Sequence, residues 1–263
     1  MLHKMVVNKL LIPNRDGNLL HSIFFPAQKS ESGFKKHRIV ILCHGFKGDK
    51  LEWGRFKTTA EALNRAGYDT LTFDFSGSGE NKREPILLSR QIADLEDVAE
   101  WALQKGYSRI GTIGLSFGGI TSLAAKIPAR KTAVFWAPAM YPKRIASGFE
   151  RIASKMLYIM PFVEVKQSSS GDYPPILVNS SFTKEAFGLD TDSYLRRFTI
   201  PSLIIQGSAD TVVKPEFTEE AFLKMPQDGD HKYMEINEAA HNFDGEHLSQ
   251  FIGLTIDWIQ KYL

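Results

Sequence analysis

Apolar positions along this chain fall into two rhythms. Apolar runs at 38–43 (RIVILC), 69–75 (DTLTFDF), 108–114 (SRIGTIG), 132–136 (TAVFW) and 202–206 (SLIIQ) read as buried strands. Between and after them, helical spacing predicts helices at about 52–66, 89–105, 116–127, 215–225 and 246–262, with a further strand at 231–236. In the second helix, Ile92, Leu95, Val98, Ala99, Ala102 and Leu103 line one face, and Gly106 is the stop signal. Upstream, β-rich stretches at 4–12 and 18–26 flank Asn14-Arg15-Asp16-Gly17, which predicts an antiparallel hairpin.

Strands alternating with helices over short connections imply right-handed crossovers and a parallel sheet covered on both faces. The rhythm breaks between about 138 and 198. There, an amphipathic helix rich in Met, Phe and Tyr is expected first, then a loop and a short hairpin. A stretch of about sixty residues is too long for an ordinary connection, so a second lobe or an inserted lid is expected.

Composition narrows the classes. The 263 residues are 43% hydrophobic and 24% charged, enough to bury a sizeable core. With 32 basic and 30 acidic residues the net charge is +2, which gives no support for nucleic acid as a partner. The basic run Lys35-Lys36-His37-Arg38 reads as a solvated loop. Cys43 is the only cysteine, so neither a disulfide framework nor a thiolate zinc cluster is expected. The N-terminal residues lack a signal peptide's apolar core, and no apolar run approaches the roughly 18 residues of a membrane span. A cytoplasmic protein without integral membrane association is expected; monomer and homodimer both stay open.

The chemistry concentrates around Ser116. Gly114-Leu115-Ser116-Phe117-Gly118 fits Gly-x-Ser-x-Gly, with a predicted strand before it and a predicted helix after it. The same letters suit a helix-capping serine beside packing glycines. The strand–turn–helix context favours instead a tight turn that exposes the hydroxyl as a nucleophile, with the Phe117 N–H directed at a reacting oxygen.

A serine needs a base and an orienting acid to become nucleophilic. Of seven histidines, His241 lies in a loop after the strand ending near Ile236, at the sheet edge where ligands bind in such folds; His247 is the second candidate. Asp210 follows the strand at 202–206 directly, and the order Ser116, Asp210, His241 keeps it ahead of Asp74, which is expected to order its own Gly-rich loop. After strand 38–43, His44-Gly45-Phe46 brings backbone close to a ligand, and the Phe46 N–H is a second oxyanion donor; His44 reads as a structural hydrogen-bonder.

With HGF at 44–46, FDFSGSG at 73–79, GLSFGG at 114–119, GSADTVV at 207–213 and AAH at 239–241, the chain resembles the α/β-hydrolase superfamily over nearly its whole length. Within it, it is most similar to small bacterial cinnamoyl/feruloyl esterases and related carboxylesterases. The resemblance implies a mostly parallel eight-stranded sheet covered by helices, a single domain over 1–263 with a cap inserted at about 138–198, and a Ser116–Asp210–His241 triad. It implies Phe46 and Phe117 as oxyanion donors, no metal and no organic cofactor, and a small-molecule ester substrate. Tyr141, Tyr158, Asp172 and Tyr173 are candidates for recognising an aromatic hydroxyl. Phe149, Ile152, Met156, Leu157, Ile159, Met160 and Phe162 are candidates for an acyl or aryl pocket, or simply pack the insertion.

Three functional readings follow. The first is a carboxylic-ester hydrolase. The second is a thioesterase, acyltransferase or amidase with the same residues. The third is a binding protein that has lost chemistry on the same fold. Lyase, haloperoxidase and C–C hydrolase chemistries would reuse the same constellation, and fold analogy does not choose among them.

Overall fold

The computed structural model describes residues 7–27, 37–146, 161–168 and 171–263. Among the described residues there are ten strands: β1 (Asn8–Pro13), β2 (Leu19–Phe25), β3 (Arg38–Cys43), β4 (Asp69–Phe73), β5 (Arg109–Leu115), β6 (Arg130–Trp136), β7 (Val163–Val165), β8 (Ile176–Val178), β9 (Ser202–Gly207) and β10 (His231–Ile236). Eight form one sheet in the order β1-β2-β4-β3-β5-β6-β9-β10. β1, β2 and β4 pair antiparallel, and every pairing from β4 across to β10 is parallel.

The helices are α1 (Arg55–Arg65), α2 (Leu88–Gln104), α3 (Phe117–Ala124), α4 (Pro142–Ile145), α5 (Ser180–Gly188), α6 (Thr191–Arg196), α7 (Pro215–Lys224) and α8 (Glu246–Tyr262). The twofold alternation of strand side chains assigns them to two layers. Val40 and Leu42 of β3, and Val134 and Trp136 of β6, pack with Phe56 and Leu63 of α1 and Phe251 and Trp258 of α8. Their neighbours face the other way: Ile39 and Ile41 meet Leu95 and Val98 of α2. On that same side Ala133 and Phe135 meet Phe117 and Ile120 of α3 and Ala221 of α7. Strands buried on both faces have no solvent-facing side to mark with alternating charge, hence their largely apolar runs, in which Thr70, Thr72 and Thr112 are themselves buried. Among the described residues no helix is long and apolar enough to cross a membrane.

Two expected helices change their limits. The helix expected from 52 begins at Arg55, because Glu52, Trp53 and Gly54 all have positive φ (46°, 60° and 87°). The helix expected to reach 127 stops at Ala124. Arg130 caps it, donating from Nη1 to Ser122 O (2.6 Å) and from Nη2 to Ala125 O (3.0 Å).

Between β6 and β9, an antiparallel β7–β8 hairpin forms, but only β8 lies in the stretch 168–187 where the hairpin was expected; β7 precedes it. Helices α5 and α6 follow the hairpin where no helix was expected. Each is started by a side-chain cap, Asn179 accepting from Phe182 N–H and Asp190 accepting from Ser193 N–H. The helix expected earlier in this stretch falls largely on residues 147–160, outside the described residues.

Candidate active site

A single residue joins β5 to α3. Ser116 has φ 52° and ψ −116°, unfavourable for a residue carrying a Cβ, so the surroundings must impose it. Its N–H donates to Trp136 O (2.8 Å), and its carbonyl accepts from Gly119 N–H (3.0 Å) and Ala139 N–H (2.8 Å). The turn closes only without neighbouring side chains. A Cβ on Gly114 would stand 2.5 Å from Gly118 O, and one on Gly118 would stand 2.2 Å from Cys43 O. Ser116 makes no side-chain capping bond to α3, so the helix-cap reading fails and the hydroxyl is left for another partner.

That partner is His241, on the loop after β10. Its Nε2 lies 3.2 Å from Ser116 Oγ, and its Nδ1 lies 2.7 Å from Asp210 Oδ2. A carboxylate opposite Nδ1 keeps the proton there, leaving the Nε2 lone pair towards the serine hydroxyl. The Asp210 side chain is fully buried. Its Oδ1 accepts from Val212 and Val213 N–H (2.9 Å each), and its Oδ2 also accepts from Gln206 Nε2 (3.1 Å). A buried carboxylate with four donors is satisfied and fixed in direction. A Cβ on Gly207 would meet Ala239 O at 2.2 Å, so the β9 and β10 loops approach closely enough for this bond.

Of the alternative residues, Asp74 and His44 are committed elsewhere. His247 lies in the first turn of α8. Asp74, fully buried, accepts from Lys50 Nζ (2.6 Å), Lys50 N–H (2.7 Å) and Glu80 N–H (3.0 Å), and so ties its own loop to the one after β3. Burial works against the Lys50 ammonium, yet Asp74 and Glu80 outweigh it and raise its pKa. His44 accepts from Phe75 N–H at Nε2 (3.0 Å), which puts its proton on Nδ1, donated to Gly45 O (2.8 Å).

The loop after β3 lies against the serine: a Cβ on Gly45 would be 3.5 Å from Ser116 Cβ. The trans peptide fixed by the His44–Gly45 bond turns the Phe46 N–H away from Gly45 O. Phe117 opens α3, so its N–H is one of the helix's unpaired first donors and sits at the positive end of the dipole. The Phe46, Phe117 and Phe182 rings cluster with centroids 5.4–6.0 Å apart, bringing α5 to the residues flanking the serine.

Of the residues expected to recognise substrate, Tyr141 donates to Asp192 Oδ1 (3.0 Å) and is thereby engaged; burial, then this carboxylate, pushes its phenol up. Tyr173 lies beneath the Lys50 ammonium, 5.6 Å from its ring centre, and Asp172 and Phe162 are exposed. Phe149, Ile152, Met156, Leu157, Tyr158, Ile159 and Met160 lie outside the described residues. Phe182, Gln206, Glu52 and Arg55 escaped the sequence reading. An N-cap Asn179 before Ser180-Ser181-Phe182 was the available signal for the first; a Glu and an Arg three apart carry none, since exposed helices are full of such pairs.

A family model described as serine aminopeptidase, S33, matches residues 35–175, just over half of the chain, including Phe46 and Ser116. Two Escherichia coli proteins described as uncharacterized 31.7 kDa proteins in the traX-finO intergenic region are each 37% identical over 89 residues, 32% of this chain and 30% of theirs. The chain thus matches less than a third of the length of these curated relatives. Among solved structures, Est1E from Butyrivibrio proteoclasticus with ferulic acid bound is 19% identical, with a TM-score of 0.77 over 96% of this chain and 98% of that one. The Pyrococcus furiosus esterase Pf2001 is 18% identical, with a TM-score of 0.74 over 98% of this chain and 92% of that one. The shared architecture is the α/β-hydrolase fold, with its mostly parallel eight-stranded sheet.

Proposed function

This chain belongs to the serine aminopeptidase, S33, family, and from that premise we propose that it is a carboxylesterase-type serine hydrolase acting through an acyl-enzyme. The observation that carries the proposal is the hydrogen-bonded chain from Ser116 Oγ through His241 to Asp210 Oδ2. In this reading His241 Nε2 takes the hydroxyl proton as Ser116 Oγ attacks the ester carbonyl. The Phe46 and Phe117 N–H groups receive the oxyanion, and Asp210 stabilises the imidazolium without taking its proton. His241 then protonates the departing alcohol, and water, deprotonated by the same nitrogen, releases the acid. No organic cofactor or metal takes part in these steps, and the proposed setting is cytoplasmic.

We assign a small to medium acyl or hydroxycinnamoyl ester as substrate, with residues 138–198 as a cap over Ser116. The support is the apolar cluster of Phe46, Phe117 and Phe182, two of which carry the N–H groups assigned to the oxyanion. A second reading, amide hydrolysis, is favoured by the family's description. An aminopeptidase must hold a substrate ammonium, and the buried carboxylates Glu52 and Asp74 of the neighbouring loops are already paired with Arg55 and Lys50. A panel of p-nitrophenyl esters, methyl hydroxycinnamates, acyl-CoA and aminoacyl p-nitroanilides separates the readings. Turnover of the anilides above the esters would overturn the ester assignment.

A further inference from the structure

The loop carrying Phe46 and the loop carrying His241 are not independent. The Glu52 side chain, only 4% exposed, folds back into the loop after β3, where its Oε1 accepts from Gly45 N–H at 2.6 Å. The loop wraps this carboxylate so closely that a Cβ on Gly48 would lie 2.0 Å from Oε1. Oε2 accepts from Arg55 Nη2 at 2.9 Å, while Arg55 Nε donates to the Glu52 carbonyl at 3.1 Å. The third arm of the guanidinium leaves the loop: Arg55 Nη1 donates to Asn242 O at 2.6 Å, the residue after His241.

The backbone is bent to make this possible. Glu52 and Trp53 have φ of 46° and 60°, the left-handed region that side-chain-bearing residues avoid, and they do so in succession. Asp49 holds the bend, its Oδ1 accepting from Leu51 N–H (2.6 Å) and Glu52 N–H (3.0 Å). Strain kept in place by surrounding bonds marks a position where geometry is being imposed. What it imposes is a carboxylate under Gly45, whose carbonyl is held by His44 and whose next peptide carries the Phe46 N–H.

We propose that Glu52 and Arg55 are positioning residues, an ionic clamp that fixes the Phe46 N–H and the His241 loop in one register around Ser116. The inference rests on the serine-hydrolase reading above. The two residues act through the backbone at Gly45 and Asn242 and touch no substrate. A planar guanidinium suits the task, because three acceptors in three directions need its fixed fork; a lysine supplies charge without that geometry. Because misplacement by about 1 Å can cost on the order of 100-fold in rate, a loosened clamp acts mainly on kcat.

The test compares Glu52→Gln, Arg55→Lys, Arg55→Ala and the Glu52→Gln/Arg55→Ala double variant with the parent enzyme. The readouts are kcat and KM for p-nitrophenyl butyrate, the second-order rate of inactivation by a fluorophosphonate, and the final labelling stoichiometry. The expected result is a loss of at least about tenfold in kcat and in inactivation rate, with KM little changed and labelling still reaching one per chain. Arg55→Lys fails to restore the rate, and the double variant is no worse than the worse single one, since both cut one linkage. Full rescue by Arg55→Lys, rates within about twofold of the parent, or a kcat loss matched by lost labelling stoichiometry would overturn the clamp. If the parent turns over no ester, the ester reading fails on its own, and the inactivation rates still decide the clamp.

Discussion

Ser116 Oγ and His241 Nε2 meet at 3.2 Å although 125 residues separate them in sequence. The contact depends on three strand ends, those of β5, β9 and β10, finishing at one edge of the sheet, and on the bare glycines that let the loops approach.

The base comes first. His241→Ala should abolish ester turnover, by about 10⁴–10⁶ in kcat, while His247→Ala keeps most of it. Steady-state kinetics on matched folded samples decides between the two histidines; a larger effect at His247 would move the base to α8.

The acid follows from Asp210 Oδ2 facing His241 Nδ1. In Asp210→Asn an amide can turn its NH₂ towards that nitrogen, favouring the wrong tautomer, and kcat should fall about 10⁴-fold with folding intact. Circular dichroism and kinetics together test this. A mild effect here beside a crippling one in Asp74→Asn would exchange the two carboxylates' roles.

The Lys50–Asp74 pair should matter for stability. Lys50→Met leaves a fully buried carboxylate unpaired, so unfolding by denaturant should show a loss of about 3–5 kcal/mol, much of it recovered in Lys50→Met/Asp74→Asn. The sign with pH is fixed by the raised folded pKa of Lys50. Its contribution is fully present below the unfolded value of about 10.4 and is lost as pH rises through the folded one, so the gap to Lys50→Met should be flat near neutrality and shrink only in alkali. A gap that shrinks between pH 5 and 8 would contradict it.

On the proposed reading, Phe182 brings α5 into specificity. Its ring centre lies 5.4 Å from those of both Phe46 and Phe117, so Phe182→Ala should change the ratio of kcat/KM between a short acyl ester and a hydroxycinnamate about tenfold. An equal factor for every ester would make Phe182 a packing residue only.

Legibility in the sequence followed the physics of each element. Strands buried on both faces leave largely apolar runs, and the turn at Gly114-Leu115-Ser116-Phe117-Gly118 leaves its glycines, because a Cβ at either end collides with backbone. Helices α5 and α6 were not legible because they are short and half-buried, and their caps sit in a Ser- and Asp-rich stretch that reads equally well as loop. Nor was the start of α1: Glu52 has good helix propensity, but its side chain folds back to Gly45 N–H and its backbone takes a positive φ, which keeps it out of the helix. Tertiary contacts of that kind overrule local preference and leave no periodic trace.

Every catalytic role assigned above depends on Ser116 being the nucleophile of covalent ester hydrolysis. Peptide mapping after fluorophosphonate labelling, run on the parent and on Ser116→Ala alongside ester turnover, tests it most directly. One adduct per chain is expected, on Ser116 and absent from the variant, whose kcat falls by on the order of 10⁶. An adduct on another residue, or ester turnover that survives Ser116→Ala, would contradict it.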